Sequence, residues 1–155
     1  MVAGDVIKTF KFRKERLTLK TNTGCDKGYV LYYDTDGYAP ATQTIVKADL
    51  TKTWKFYVAT DKDVVAPIDG SHAIASVLAE GIIEISKVVG PLKKGQRVGV
   101  TSTAGKVGAL VKPDACVSYV EAALQANLDA LSYEVGEVLV DAASGDDAVK
   151  VILKH

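Results

Sequence analysis

Apolar and polar residues alternate along most of this chain, and glycine, proline and aspartate interrupt the alternation at short intervals. The clearest stretch runs from Ala79 to Leu110. There Ile83 and Ile85 face one way and Glu84 and Ser86 the other, the period of a half-buried strand. Gly90-Pro91 ends it, because proline has no N–H to give a ladder. Lys93-Lys94-Gly95 reads as a charged loop. Val98 and Val100 then alternate between Gln96 and Thr101, and Thr103 to Lys106 turns the chain before Val107. Strand, turn, strand, turn, strand in this order predicts an antiparallel meander.

The same reading extends to both ends. Ile7 to Lys20 is extended, with Phe10 and Phe12 on one side, Lys11 and Arg13 on the other, and Leu17 and Leu19 continuing the alternation. Thr21 to Gly24 is a turn cluster. Gly28 to Tyr33 is a β-prone run stopped by Asp34-Thr35-Asp36-Gly37, a hairpin signal that predicts a left-handed glycine at Gly37. Pro40 makes the next segment loop or edge. Trp54, Phe56 and Val58 mark a strand, Val64 to Pro67 a short one, and Ile68-Asp69-Gly70 a turn. His72 to Ala79 fits a helix face (Ile74, Val77, Leu78) as well as a strand; its direct run into the next strand favours strand. Glu137 to Val140 and Val149 to Leu153 close the chain as strands around a loop at Ala143 to Asp147.

One segment changes period. Asp114 after Pro113 suits a helix cap, and Val117, Val120, Leu124, Leu128 and Leu131 recur at spacings of three and four among alanines. The predicted architecture is therefore mainly β: a small antiparallel β-barrel or β-tulip-like domain over residues 21–155, one helix at about 114–131, and an extended N-terminal arm over residues 1–20.

Length supports this. A chain of 155 residues forms one domain, or one with an arm, and buries roughly 68–70% of its unfolded surface without a disulfide or metal staple. Nineteen basic residues balance nineteen acidic ones, which argues against a nucleic-acid-coating protein. The charge is uneven, however: Lys8, Lys11, Arg13, Lys14, Arg16, Lys20 and Lys27 crowd the N-terminal part. Cys25 and Cys116 match no secreted disulfide framework and read as free thiols, with Cys116 inside. The chain has no long apolar run and no signal-peptide core, so the expectation is a soluble protein made in a cytoplasm, with no membrane partner.

Candidate chemistry is sparse. Of the two histidines, His155 is terminal and His72 follows a Gly-Ser turn, where a structural or solvent role is the simpler reading. No histidine stands in a nucleophile–base–orienter pattern, so no enzymatic activity is expected. The two cysteines lack zinc-site spacing. Asp34, Asp36 and Gly37 resemble the start of a calcium loop, but Ile45 stands where its last glutamate belongs. The glycines from Gly95 to Gly108 match no phosphate loop, so neither metal nor cofactor is expected. The N-terminal stretch Phe10, Lys11, Phe12, Arg13, Lys14 and Arg16 interleaves rings with cations. Such a pattern suits single-stranded nucleic acid, but it equally suits a strand with a phenylalanine core side and a solvated cationic side. The second reading leaves the cations free to meet an acidic protein surface.

The order of segments from Trp54 onward resembles the small head-decoration (capsid cement) proteins of tailed phages and related viruses. The matching pieces are Val64-Val65-Ala66-Pro67, the small-residue strand Ala73 to Val77, Gly81-Ile82-Ile83-Glu84-Ile85, and Leu92 to Val98 before the Gly105-Lys106-Val107 turn. Val135 to Leu139 and the final Val149 to Leu153 complete the series. The likeness spans about the C-terminal two thirds, and this chain departs from it in the Pro113–Leu131 helix and the basic N-terminal half. The resemblance implies a protein of the outer capsid surface of the virion. It would form homotrimers that bridge major capsid protein subunits, and the residues from Phe10 to Arg16 would be its capsid-contact arm. The rival class is an OB-like barrel that binds single-stranded nucleic acid or another ligand.

Overall fold

The computed structural model describes residues 2–5, 13–47, 55–60, 62–110 and 121–154. Its elements are β1 (Arg13–Thr18), β2 (Val30–Asp34), β3 (Gly37–Pro40), α1 (Gln43–Lys47), β4 (Tyr57–Ala59), β5 (Ile74–Glu80), β6 (Ile82–Ser86), β7 (Arg97–Val100), β8 (Val107–Ala109), α2 (Glu121–Ser132), β9 (Glu134–Val138) and β10 (Ala148–Leu153). The mainly β, antiparallel architecture predicted above is present, divided over two five-stranded sheets ordered β1-β5-β4-β2-β3 and β6-β10-β9-β7-β8.

Those two orders are one order repeated. Each half of the chain runs three strands, a helix and two strands, and adding five to every strand of the first sheet yields the second. The registers agree residue by residue. Leu17↔Ala75 answers to Ile85↔Val149, Ala59↔Val77 to Val138↔Val151, Leu31↔Tyr57 to Val98↔Gly136, and Tyr33↔Tyr38 to Val100↔Val107. The isolated bridges correspond as well. Leu19↔Tyr38 and Lys87↔Val107 are parallel and draw the outer strands of each sheet toward a ring, while Cys25↔Val64 and Leu92↔Ala142 brace the loops. The chain is thus two copies of a βββαββ unit, residues 13–80 and 82–153, joined where the strand bends at Gly81.

Turn chemistry explains why both halves fold alike. Cys25-Asp26-Lys27-Gly28 and Leu92-Lys93-Lys94-Gly95 lead into β2 and β7, with Gly28 and Gly95 at φ 86° and 87°, a region open to glycine at little cost. Both glycine N–H groups donate to the matching strand, Gly28 to Ala59 O at 2.9 Å and Gly95 to Val138 O at 2.8 Å. The first unit keeps a small interior of its own, built from Leu19, Cys25, Leu31, Ala59, Ala75 and Val77. The second unit shares its core with the outer side of the first, where Val30, Val46, Val58 and Leu78 join Ile83, Ile85, Val98 and Val151. Gly105 seals the junction. Its N–H donates to Ala41 O at 3.0 Å, its carbonyl accepts from Val30 N–H at 2.9 Å, and a Cβ there would lie 2.3 Å from the Tyr29 ring.

Several expectations need correction. The stretch from Ala79 to Leu110 is no meander: β9 and β10 lie between β6 and β7, because β6 finds its partner at the far end of the unit. All of β6 is buried, Glu84 and Ser86 included, since the N-terminal residues and the first unit cover its second face and edge. At the β2–β3 hairpin the left-handed residue is Thr35 (φ 54°), while a Cβ on Gly37 would meet the Leu19 and Lys20 backbone at 2.6 Å. Val64 makes one bridge to Cys25, not a strand. Helix α1 is unforeseen. Within α2, Leu124, Leu128 and Leu131 are exposed, so this part of the apolar stripe does not face the core. Residues 113–120 of the expected helix lie outside the described residues, as do Trp54, Cys116 and His155.

A candidate protein-docking edge

Of the six residues proposed as a contact arm, Phe10, Lys11 and Phe12 lie outside the described residues, and Arg13, Lys14 and Arg16 fall on β1. Strand β1 is an outer strand, paired with β5 on one side. Alternation sorts its side chains. Leu17 packs on the first unit's interior, while Lys14, Arg16 and Thr18 are exposed on the opposite face. Arg13 Nε lies 3.0 Å from Glu15 Oε1, and its guanidinium reaches Glu80 at 3.8 Å, so its charge is partly answered. Lys14 and Arg16 have no ion-pair partner among the described residues. They line a shallow concavity with Glu15 and Ser76.

The backbone at this edge is equally open. Register makes Arg16 the counterpart of Glu84 and Thr18 the counterpart of Ser86, opposite Ser76 and Ile74 in place of Lys150 and Ala148. In antiparallel pairs of this kind the two residues bond away from each other. Ser76 O accordingly accepts from Thr60 N–H at 3.1 Å on its other side, as Lys150 O accepts from Leu139 N–H at 2.9 Å. The N–H and C=O of Arg16 therefore point outward. The second unit shows what such groups do when a partner is present. Gly4 N–H donates to Glu84 O at 2.6 Å, Asp5 O accepts from Glu84 N–H at 3.2 Å, and Gly28 O accepts from Ser86 N–H at 3.0 Å. Among the described residues nothing occupies the same place on β1. Leu19 and Lys20 meet Tyr38 beyond the end of β1, and the ring closes only there.

Other candidate groups are engaged structurally. His72 Nδ1 lies 2.7 Å from Leu19 O, which ties its loop to the first unit. Burial pushes the Cys25 thiol up to about 11, so at neutral pH it is a protonated core group and not a nucleophile. Asp34 accepts from Lys20 Nζ and Asp36 from Thr21 Oγ1, each at 2.9 Å, which makes that pair a braced turn. A cleft of about 760 Å³ between the N-terminal residues and both units is lined by Asp26, Lys27, Asp63, Lys106, Asp146 and Asp147, among others. Among the described residues no group of His, Cys, Asp and Glu is placed to hold a metal.

Helix α2 offers a second surface. Glu121 and Asp129 are its only charged residues, and Asp129 is buried, accepting from Gln125 Nε2 at 2.9 Å and facing Lys47 Nζ at 3.4 Å. Exposed Glu121 shares the outward side with Leu124, Leu128 and Leu131, which are 42%, 52% and 53% exposed. Sequence reasoning found the cations and the leucines. It missed the duplication, whose faint signal is the Lys-Gly pair before each second strand, and with it the contrast between the covered and the open edge.

No protein-family model matches the chain, and neither the curated proteins nor the solved structures yield a match.

Proposed function

We propose that this protein is a viral capsid decoration (cement) protein that lies on the outer surface of an icosahedral head and stabilises it by bridging major capsid protein subunits. The observation that carries the reading is the outer edge of β1, where Lys14 and Arg16 stand exposed, without an ion-pair partner among the described residues, beside outward backbone groups. A double β unit, a cationic edge for an acidic host surface and a helix face of exposed leucines for its own copies meet the needs of such a protein. Many weak contacts on one shell sum through avidity and linkage. Of the segments that resemble cement proteins, Ala73 to Val77 falls on β5, the strand that pairs with this edge, and most of the others on the second sheet. In this reading the protein is made in the host cytoplasm, carries no catalytic site or cofactor, and assembles as a homotrimer through the α2 face.

The test is co-sedimentation with undecorated heads of the cognate virus, followed by heat challenge of the heads. The wild-type protein binds in a fixed ratio and raises the temperature of head rupture. The triple variant Arg13→Glu, Lys14→Glu, Arg16→Glu loses most of that binding. No binding by the wild type refutes the proposal. The same cations also fit the rival barrel-type binder of single strands, which predicts salt-dependent binding of an oligothymidylate by the free protein.

A further inference from the structure

We infer that the outer edge of β1 is a strand-addition slot for an extended acidic segment of a partner protein. The second unit supplies the precedent within the same molecule. There the counterpart edge, on β6, is covered by a turn over residues 2–5, whose Gly4 N–H and Asp5 carbonyl bond both backbone groups of Glu84. Arg16 presents the same pair of groups at the same register, and Thr18 presents the N–H that Ser86 uses toward Gly28. An incoming strand would satisfy them with its own alternating N–H and C=O groups.

Charge selects the occupant. An added strand places alternate side chains about 4.5–5.5 Å from those of β1. On the exposed face these meet Lys14 and Arg16, which favours carboxylates at every second position. On the other face they meet Glu15 and half-buried Leu17 near the Tyr57 ring, which favours apolar residues. A second copy's counterpart loop, Lys93-Lys94-Gly95, carries cations and would be repelled. The capsid protein is the donor only if the proposed function holds, and for that identity the inference rests on it. The peptide measurement below needs no heads. Its failure removes strand addition and leaves decoration standing, whereas failure with heads removes decoration and leaves the slot.

The experiment titrates the full-length protein with a ten-residue peptide alternating valine and glutamate, and with its valine–lysine counterpart, following backbone amides by NMR. The glutamate peptide shifts the Arg16 and Thr18 amides and slows their exchange with solvent; the lysine peptide does neither. Arg16→Gln weakens the binding severalfold through lost charge. Arg16→Pro, which removes an N–H that no strand of this sheet uses, weakens it roughly tenfold further, about the worth of one hydrogen bond. If Arg16→Pro does not fold, a glutamate peptide N-methylated on alternate residues makes the same test on the wild-type protein. Absence of binding, equal binding of both peptides, protection of other amides only, or tolerance of N-methylation in both alternations each overturns the inference. So does an oligothymidylate that protects Arg16 and Thr18 better than the glutamate peptide.

Discussion

The two halves of this chain share strand order, register and turn glycines, yet they bury different things. Position 19 of the first unit is a fully buried leucine, and its counterpart in the second is Lys87, itself only 3% exposed. Lys87 Nζ donates to the carbonyls of Ala143, Ser144 and Asp146 at 3.2, 3.3 and 3.1 Å, so a cation closes the loop that an apolar contact closes in the first unit. Strand β1 exposes four of its six residues, whereas its counterpart β6 exposes none. Helix α1 has five residues and buries Val46; α2 has twelve and turns leucines outward. Shared features specify the fold. The differences, a cationic edge that no described residue covers and a helix face of exposed leucines, are where interaction belongs, because closing either ring does not require them.

The comparison breaks most severely at the paired interior positions. Leu19→Ala leaves a cavity in the small first-unit core and is expected to cost about 2–5 kcal/mol in denaturant unfolding. Lys87→Leu writes the first unit's solution into the second, yet it removes the ammonium that three loop carbonyls share and is expected to cost about 1.5–3 kcal/mol. A neutral Lys87→Leu would show that the loop does not depend on the cation. Next comes the junction. Gly105→Ala forces a Cβ against Tyr29 at a residue with φ 75°, for an expected loss of about 1–3 kcal/mol. A smaller loss in the Tyr29→Ala background would show that the ring contact is responsible.

Two carboxylates at the covered β6 edge sharpen the contrast through pH. Burial holds the Glu84 carboxyl above its ordinary range, against the pull of Lys150. Its native pKa exceeds the unfolded one, so its contribution is fully favourable in acid and is lost as pH rises through the native value. Glu84→Gln should therefore gain melting temperature near neutrality, and the gain should vanish in acid. Asp5 has the opposite sign. The Lys27 ammonium bonded to it, and then the Val2 N–H, hold its carboxyl below the usual range. Its contribution is present above the unfolded pKa and fades as pH falls through the native one, so the deficit of Asp5→Asn should be confined to the higher pH. Smallest in stability is Leu128→Lys on the exposed α2 face, expected within about 0.5 kcal/mol of wild type. Its effect belongs in the solution mass, where the proposed trimer should fall to monomer.

Local chemistry was legible in the sequence, and distant pairing was not. The turns at Thr21 to Gly24 and Ala143 to Asp147, the run entering β2, the choice of strand for β5 and the alternation of Val149, Val151 and Leu153 all follow from residues near one another. The partner of β6 does not, because β10 lies more than sixty residues away and Ile-Glu-Ile-Ser looks half-exposed until Gly4 and Asp5 are laid across it. The α2 stripe shows the converse: its spacing identifies a helix but not whether its leucines face a core or another molecule. Duplication stayed hidden because the matched positions hold leucine against lysine, and cysteine against leucine. Of the candidate site, the cations were legible. That their strand had an open edge required the sheet.

Amide hydrogen exchange of the free full-length protein is the most direct test of the claim that the first unit leaves open the edge that the second has covered. Glu84 and Ser86 should exchange slowly, with Arg16 and Thr18 far faster although they occupy the same register. Comparable protection at all four amides would mean that β1 is already covered and would contradict the account.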